Sequence, residues 1–229
     1  MRPLRVGSRQ SPDRLVEVTT PFPQPDTPLI LRGERVELRP ATLDDAPGVA
    51  CAASGDRSTF GYTNVPTDLD GARRYLEVLV HERDAGISYP MVICDIRDST
   101  VVGMTRFLTL RWWYGRDAPD AVEIGGTWLS ARVQHTGVNT DAKQLLLAHA
   151  FEEWLVERVD FKSDARNARS RTAILRLGAT FEGVLRAWQP SYVEGEATRP
   201  RDTAMYSILR EEWPEIRRRL DVLARHHQR

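Results

Sequence analysis

The most constraining feature of this chain is a strand, a glycine-containing loop and a long amphipathic helix that follow one another in its middle. Residues 121–129 form a strand-like run that contains two consecutive glycines, Gly125 and Gly126. From Thr140 onward, apolar residues recur at the spacing of one helix face. These residues are Leu146, Leu147, Ala150, Phe151, Trp154 and Leu155. The loop that joins the two elements therefore runs into the N-terminus of a helix.

The loop at residues 130–140 is a candidate anion site. The first amides of a helix have no intrahelical acceptor, and the helix dipole adds positive potential there, so phosphate is the simplest ligand. An ordinary strand-to-helix connection also needs a glycine and a cap, and this alternative stays open. The loop contains neither a P-loop Gly-Lys-Ser/Thr nor a GxGxxG fingerprint. The double glycine predicts a bulge or a close backbone approach, with a plain sheet bend as the alternative.

Charge and composition exclude several classes of function. Basic and acidic residues balance at 32 each, so no global field favours nucleic acid, an anionic membrane or an acidic partner. Of the 32 basic residues only Lys143 and Lys162 are lysine and the other 30 are arginine, a bias that we attribute to coding composition. No apolar run reaches the length of a membrane span, and the N-terminus lacks the apolar region of a signal peptide. We therefore expect a soluble, cytoplasmic protein.

The two cysteines, Cys51 and Cys94, are too few for a disulfide framework and lack CxxC spacing. We expect both to be small buried apolar groups in a reducing compartment, and we predict no metal site.

The remainder of the chain predicts one mixed sheet with helices packed against it. Six prolines within residues 1–28 predict an extended or flexible arm, of which residues 15–18 could join a sheet edge or a partner subunit. Strands are predicted at 34–39, 89–96, 101–114, 121–129, 158–163, 181–188 and 202–209. Helices are predicted at 42–54, from 67 or 68 to 86, at 140–155, at 168–177 and from 213 onward. Asn167 is the expected N-cap and Gly178 the expected left-handed C-cap of the fourth helix.

Four ordered motifs within residues 29–213 resemble one family of enzymes. Gln134-x-x-Gly137-x-Asn139 before the long helix is similar to the pyrophosphate-binding motif of the GNAT N-acetyltransferases, usually QxxGxG or QxxGxA. Asn167-x-x-Ser170, followed by Leu-Gly at 177–178 and Phe-Glu-Gly at 181–183, resembles the ribosomal-protein-alanine N-acetyltransferase branch of that family. The closing strand at 201–209 and the opening strand at 35–40 are also similar to that branch.

The resemblance implies a GNAT fold, which is α/β with a single mixed, mostly antiparallel sheet splayed at a central cleft and helices on both faces. Residues 29–229 would form the acyltransferase domain. The cofactor would be acetyl-CoA, which donates its acyl group to a primary amine by direct attack in a ternary complex. Residues implied to bind the donor are Leu129, Gln134, His135, Thr136, Gly137, Val138, Asn139, Thr140, Asn167 and Ser170.

Two residues are candidates for proton transfer. Glu123 precedes the double glycine and corresponds to an acidic position that related enzymes are thought to use through water; a salt-bridged strand carboxylate is the alternative. Ser170 is the candidate to protonate the leaving thiolate, or simply a helix residue. The chain departs from the family at Ile174, where many members have the tyrosine acid, and at Asn139, where the motif has glycine or alanine. The second departure puts donor affinity in question.

Candidate acceptor-binding residues are aromatic. Phe60 and Tyr62 lie in the non-periodic segment 56–66, the expected rim of the acceptor site. Trp112 belongs to a cluster, 111–114, that could line the acceptor pocket, form a dimer contact or pack in the core. Glu194 and Glu196 could attract a cationic amine or be solvated loop residues.

Several alternatives remain at the level of sequence. The donor could be succinyl-CoA or another acyl-CoA, or the chain could be a non-catalytic acyl-CoA-binding module. A homodimer is expected from the aromatic cluster and the proline-rich arm. Nucleic-acid binding by the arginines at 217–219 is not expected, because acidic neighbours dilute that patch. No membrane partner is predicted either.

Overall fold

The computed structural model describes residues 28–196 and 198–226, which form an α/β fold on one mixed sheet of eight strands. In chain order the strands are β1 (Leu31–Arg32), β2 (Val36–Pro40), β3 (Tyr89–Asp95), β4 (Val101–Arg111), β5 (Ala121–Leu129), β6 (Arg158–Asp164), β7 (Thr180–Pro190) and β8 (Pro200–Leu209). Their order across the sheet is β1-β2-β3-β4-β5-β6-β8-β7. The pair β5 and β6 is parallel, and the other neighbours are antiparallel.

Helices cover both faces of this sheet. They are α1 (Ala46–Ala53), α2 (Leu69–Asp84), α3 (Val138–Ala148), α4 (Ala168–Leu177) and α5 (Trp213–His226). One core cluster joins α1 and α2 to Met104 of β4 and Trp128 of β5. The other joins α3, α4 and α5 to residues such as Ile124 of β5 and Phe161 of β6. Because side chains alternate along a strand, neighbouring residues of β5 point to different clusters.

The two parallel strands diverge soon after they begin. β5 pairs with β6 only from Ala121–Arg158 to Glu123–Asp160, although β5 continues to Leu129 and β6 to Asp164. Beyond Glu123, β5 stays with β4 and β6 stays with β8. We call the divergence of β5 and β6 beyond these pairs the splay. It leaves a cleft in the middle of the sheet, as the family resemblance implies.

A β-bulge lies on β5 at the double glycine. Two β5 residues, Gly126 and Thr127, face the single residue Thr105 of β4, and Gly126 adopts the left-handed backbone conformation with φ of +57°. This conformation costs a residue with a Cβ atom free energy but costs glycine little. The predicted bulge is therefore confirmed, and it begins where β5 parts from β6.

The first turn of α3 is fixed to the edge of the sheet by Asp141. Its buried carboxylate accepts hydrogen bonds from the amides of Arg35 (2.7 Å) and Val36 (3.1 Å) at the start of β2. These contacts between distant parts of the chain set the position of the loop that precedes α3.

Several predicted boundaries differ from the observed ones. α3 begins at Val138 rather than Thr140, because the αL conformation of Gly137 already closes the loop, and its end, His149–Glu153, is π-helical. The predicted strand 101–114 ends at Arg111. The expectation that Cys51 is buried was wrong: Cys94 is buried in β3, but Cys51 lies on the exposed side of α1.

Residues 1–27 of the predicted proline-rich arm lie outside the described residues. Among the residues that are described, no helix combines the length and hydropathy needed to cross a membrane.

Candidate active site

The loop before α3 has the backbone geometry of an anion site. Gly137 is the N-cap with φ of +87°, and His135 also has a positive φ of +64°. The amide of Asp141 makes the first hydrogen bond of the helix, to the carbonyl of Gly137 (3.0 Å). The amides just before Asp141 therefore have no intrahelical acceptor and lie at the positive end of the helix dipole. Val138 is buried, whereas His135, Thr136, Asn139 and Thr140 are exposed or half-buried.

Gln134 connects this loop to the end of β5, to Thr59 and to the start of α4. Its Nε2 donates to the carbonyl of Leu129 at the end of β5 (2.9 Å) and to Oγ1 of Thr59 (3.1 Å). Its Oε1 accepts from Arg169 Nη1 (3.1 Å), and Arg169 Nη2 donates to the carbonyl of Thr59 (2.8 Å). The side chain of Gln134 thus holds the shape of the loop.

Arg169 is a residue that sequence reasoning missed. It lies in the first turn of α4 and reaches the loop that begins at Gln134. Its contacts are neutral oxygens, and no carboxylate of the described residues forms a salt bridge with it. A guanidinium without a counter-anion beside a phosphate-type loop adds a charged anion-binding group. The Asn-x-x-Ser motif contains this position without marking it.

Asn167 and Ser170 interact with each other at the start of α4. The side-chain Oδ1 of Asn167 accepts from the amide of Ser170 (3.0 Å), so the N-cap prediction is confirmed. Gly178 ends the helix in the αL conformation with φ of +101°, as predicted. The roles of Asn167 and Ser170 toward a donor stay predictions, and Ile174 is buried in the core.

Glu123 lies at the point where β5 and β6 part, and only 3% of it is exposed. Its Oε2 forms an ion pair with Lys162 Nζ of β6 (3.1 Å) and accepts a hydrogen bond from Thr109 Oγ1 of β4 (3.2 Å). Its Oε1 is buried and has no hydrogen-bond partner among the described residues. A Cβ atom on Gly125 would lie 2.8 Å from this oxygen, so the glycine makes room for the carboxylate. The salt bridge of the alternative interpretation is therefore present. It occupies one carboxylate oxygen of Glu123 and leaves the other available.

Lys143 is the second residue that the sequence did not single out as functional. It extends from α3 to the splay and donates to Thr127 Oγ1 of β5 (2.5 Å) and Thr105 Oγ1 of β4 (3.4 Å). Its Nζ lies 6.0 Å from the ring centroid of Phe161 on β6. Burial lowers the pKa of this amine to about 7, although the charge of Glu123 opposes the shift.

The predicted acceptor residues occupy three different environments. Phe60 is buried, with its ring edge against Trp128 at 6.0 Å. Tyr62 is half-buried, and the guanidinium of Arg166 lies over its ring, 5.5 Å from the ring centroid. Trp112 is half-buried. Of the two acidic loop residues, Glu196 pairs with Arg166 (2.9 Å), and Glu194 is exposed.

A cavity of about 390 Å³ opens between the end of α2 and β4, and Thr109 separates it from Glu123. Glu82, Arg106, Thr109 and Leu110 are among its lining residues, and Thr109 is the residue that donates to Glu123. Glu82 and Arg106 form an ion pair across it at 2.6 Å. A polar cavity next to a buried carboxylate is suited to a polar or charged acceptor.

The arrangement fits a CoA thioester. The loop before α3 offers amides for the pyrophosphate, the splay offers strand edges for the pantetheine arm, and Glu123 lies where β5 and β6 separate. No group of three or more potential metal-ligating side chains occurs among residues 28–196 and 198–226.

Comparisons with known proteins agree with this geometry. A family model described as an acetyltransferase (GNAT) domain matches residues 35–180. YdaF of Bacillus subtilis (strain 168), whose provisional name is ribosomal N-acetyltransferase, is 33% identical over 88 residues, which span 38% of this chain and 45% of YdaF. The chain therefore matches less than half the length of that curated relative.

Solved structures share the fold over most of the chain. A probable GNAT-family acetyltransferase from Chromobacterium violaceum is 25% identical with a TM-score of 0.71, and the match covers 93% of this chain and all of that one, 100%. RimJ of Mycobacterium smegmatis, solved in complex with CoA-disulfide, is 23% identical with a TM-score of 0.69, with 88% and 96% covered. The splayed sheet, the phosphate-type loop and the family match lead to one conclusion. The chain belongs to the GNAT acetyltransferase family.

Proposed function

We propose that this enzyme transfers an acetyl group from acetyl-CoA to a primary amine by direct attack within a ternary complex. The observation that carries the proposal is the buried Glu123 at the splay, with one unpartnered oxygen, in a chain whose α3 loop has the geometry of a pyrophosphate site. The acetyl-CoA donor supplies an activated acyl group as a thioester.

Donor binding is assigned to backbone and side-chain groups along the cleft. Of the expected amides at 134–140, that of Gln134 already donates to the carbonyl of Ala131 (3.3 Å), so the amides at 135–140 would hold the pyrophosphate, with Arg169 beside them. Backbone groups near Leu129 would hold the pantetheine arm and polarise the thioester carbonyl. Asn167 and Ser170 would complete the path along the start of α4.

Glu123 is proposed as the base, directly or through water. An aliphatic amine has a pKa near 10 and must lose a proton before it attacks, so a proton acceptor is needed beside the acyl carbon. Glu123 Oε1 is free of hydrogen bonds among the described residues, and Thr109 connects Glu123 to the cavity beside β4. The acceptor amine would enter through that cavity. Phe60, Tyr62 and Trp112 are not among its lining residues, and their roles toward the acceptor stay predictions.

The acceptor class follows from resemblance more than from geometry. The ribosomal-protein branch favours the N-terminal α-amine of a protein, and the curated relative YdaF has the provisional name of a ribosomal N-acetyltransferase. Small-molecule amines and lysine side chains are the other acceptors to test. A homodimer, with Trp113 and Tyr114 as exposed aromatic residues at the end of β4, stays a prediction.

Calorimetric titration of the protein with acetyl-CoA, free CoA and succinyl-CoA tests the donor. We expect micromolar binding of acetyl-CoA, and stronger binding of succinyl-CoA would move the proposal to a longer acyl chain. An acceptor screen by thiol release then follows, with N-terminal peptides and small amines in parallel. Binding without turnover for any acceptor, in the wild type and in Glu123→Gln alike, would favour a non-catalytic acyl-CoA-binding module.

A further inference from the structure

The two lysines of this chain lie near the splay, one on each face of the sheet. Arginine occupies 30 of the 32 basic positions, so it is the default cation of the sequence, and lysine occurs only at 143 and 162. Lys162 pairs with Glu123 at 3.1 Å, and the charge of Glu123 also acts on Lys143. Lysine differs from arginine in that its ammonium can lose a proton in the working range of an enzyme. The exceptions to the arginine bias therefore mark the splay as a place where proton transfer matters.

Lys143 lies on the other face of the sheet from Glu123. Val122 and Ile124, the neighbours of Glu123 on β5, belong to the core cluster with α3, so Glu123 points to the opposite side. Lys143 comes from α3 itself, and its amine lies between Thr127 of β5 and Phe161 of β6. These two strands are the walls of the cleft, so one proton-transfer group lies on each side of it.

Thr105, Thr127 and Phe161 accommodate the buried amine of Lys143, but they do not require a lysine there. Only 6% of this residue is exposed, and a buried amine is costly to the fold. Its two partners do not require it, because the hydroxyls of Thr105 and Thr127 also bond to each other at 2.8 Å. An apolar side chain of similar length would fill the same space without the cost of burying an amine. A function toward the contents of the cleft accounts for a lysine at this position.

We propose that Lys143 is the proton donor to the thiolate that leaves during acyl transfer. The inference deepens the proposed function and rests on it. The nitrogen of the acceptor bonds to the acyl carbon, the carbon–sulfur bond breaks, and its electron pair goes to sulfur. Lys143 gives its proton to that sulfur and becomes a neutral amine, while Glu123 takes the proton that the acceptor loses. Solvent exchange returns both groups to their starting states.

The surroundings of Lys143 suit a donor of this kind. Glu123 is the charged group that acts on its amine, while Thr105, Thr127 and Phe161, which surround the amine, carry no charge. A general acid is most effective when its pKa lies near the operating pH, and the pKa of about 7 meets that condition. Ser170, the candidate acid from the sequence, has a hydroxyl that is a much weaker acid than this ammonium, so Lys143 is the better proton donor.

The test measures the ionisation of the CoA thiol in the complex of the protein with CoA. The ultraviolet absorbance of the thiolate is recorded as pH is raised. A free thiol has a pKa near 8.5. We expect the wild type to hold several-fold more thiolate near neutral pH than free CoA does, because the Lys143 ammonium stabilises the anion, while most of the sulfur stays protonated, as donation by Lys143 requires. Lys143→Met should abolish this excess. Lys162→Met, which removes the other lysine on the opposite face, should retain it.

Lys143→Arg separates charge from proton donation. It should keep the excess thiolate but lower turnover by at least about tenfold, because a guanidinium does not release its proton. Circular dichroism and CoA titration of each variant establish that it is folded and binds. If Lys143→Met does not fold, Lys143→Gln takes its place.

The outcomes for this inference and for the proposed function differ. No CoA binding by the wild type would overturn the proposed function. Normal CoA binding with the same thiolate fraction in the wild type and in Lys143→Met would overturn the role of Lys143 and leave the proposed function intact. Full turnover by Lys143→Arg would also overturn proton donation by Lys143.

Discussion

The proposed donor loop and the splay are two neighbouring regions built in different ways. At the donor loop, residues 134–140, the main features are backbone conformation and amides at the start of α3, with αL geometry at Gly137. At the splay, the features are side chains from four different elements, with Glu123, Lys143, Lys162 and Thr109 contributed by β5, α3, β6 and β4. A backbone site tolerates changes of side chain, whereas a side-chain site depends on each group.

This difference has a physical origin. Backbone amides at a helix N-terminus exist whatever residues occupy them, so one glycine and a cap suffice to form the loop. A carboxylate at 3% exposure needs partners that neutralise it and space to occupy, which Lys162 and Gly125 provide. We therefore expect substitutions at the splay to act mainly on turnover, and substitutions at the loop to act mainly on donor affinity and stability.

The largest expected effect is that of Glu123→Gln. It should lower kcat/KM by about 10²- to 10⁴-fold, because general base catalysis contributes that much, and leave the Kd for acetyl-CoA nearly unchanged. Steady-state kinetics over pH, together with calorimetry, measure both quantities. Glu77→Gln, at an exposed site on α2, is the matched control. Unchanged turnover with the same pH profile would remove Glu123 from the mechanism.

The second prediction concerns stability and pH at the splay. The pKa of Lys143 is lowered from its ordinary value of 10.5 to about 7 in the folded protein. Between pH 7 and pH 10.5 the unfolded chain therefore binds more protons than the folded protein. Stability contributed through this group therefore rises as pH increases from 7 toward 10.5, by up to about 1.4 kcal/mol per pH unit.

Denaturant unfolding of the wild type and of Lys143→Met at pH 7 and pH 9 measures this effect. The wild type should gain stability relative to the variant by about 1 to 3 kcal/mol between the two pH values. At pH 7 the variant should be at least as stable as the wild type, because it no longer buries an amine. An equal pH dependence in both proteins would show that Lys143 is not perturbed by burial.

Local patterns predicted the fold and the position of the loop before α3, and long-range contacts explain the rest. Asn167, the apolar spacing and Gly178 predict the bounds of α4, because caps and periodicity are local properties. The bulge at Gly126 was also a local signal, whereas the reason for Gly125 was not. That glycine accommodates the carboxylate of Glu123 against Leu108, a contact that requires β4 to be in place.

The roles of Lys143 and Arg169 depend on contacts that no sequence spacing reveals. In the sequence, Lys143 occupies a polar position of an amphipathic helix. In the structure it is buried, because β5 and β6 separate beneath it. Arg169 is one of 30 arginines, and only the packing of α4 beside the loop brings it to Gln134. The scarcity of lysine was a usable signal for Lys143, and no comparable signal marked Arg169.

Arg169→Gln tests whether the donor loop is more than backbone. A charge-assisted hydrogen bond contributes about 1.5 to 3 kcal/mol, and solvent exposure places Arg169 near the lower end, so the Kd for acetyl-CoA should rise by about tenfold. Titration at low and high salt should show a larger difference at low salt. Arg176→Gln, on the exposed end of the same helix, is the control. Pantetheine lacks the pyrophosphate. If Arg169→Gln weakened the binding of pantetheine by the same factor as that of acetyl-CoA, altered packing of the loop would be the cause instead.

Gly137→Ala tests the backbone of the loop directly. At φ of +87° a Cβ atom costs about 1 kcal/mol or more, so the variant should be less stable by about that amount and bind acetyl-CoA several-fold more weakly. Turnover at saturating donor should change little, since the splay is untouched. Thermal unfolding and calorimetry check the two effects. A loss of kcat as large as that of Glu123→Gln would mean that the two sites are not separable.

The smallest expected effect is that of Asn139→Ala, which restores a residue type common in the family motif. Asn139 is half-buried in the first turn of α3. Its backbone amide, rather than its side chain, is the group expected to donate a hydrogen bond to the anion. The Kd for acetyl-CoA should therefore change by less than about threefold, within the range of a surface substitution. A tighter complex by tenfold or more would show that the asparagine side chain narrows the approach of the pyrophosphate. In that case the loop, like the splay, would be controlled by side chains, and the distinction between the two sites would no longer hold.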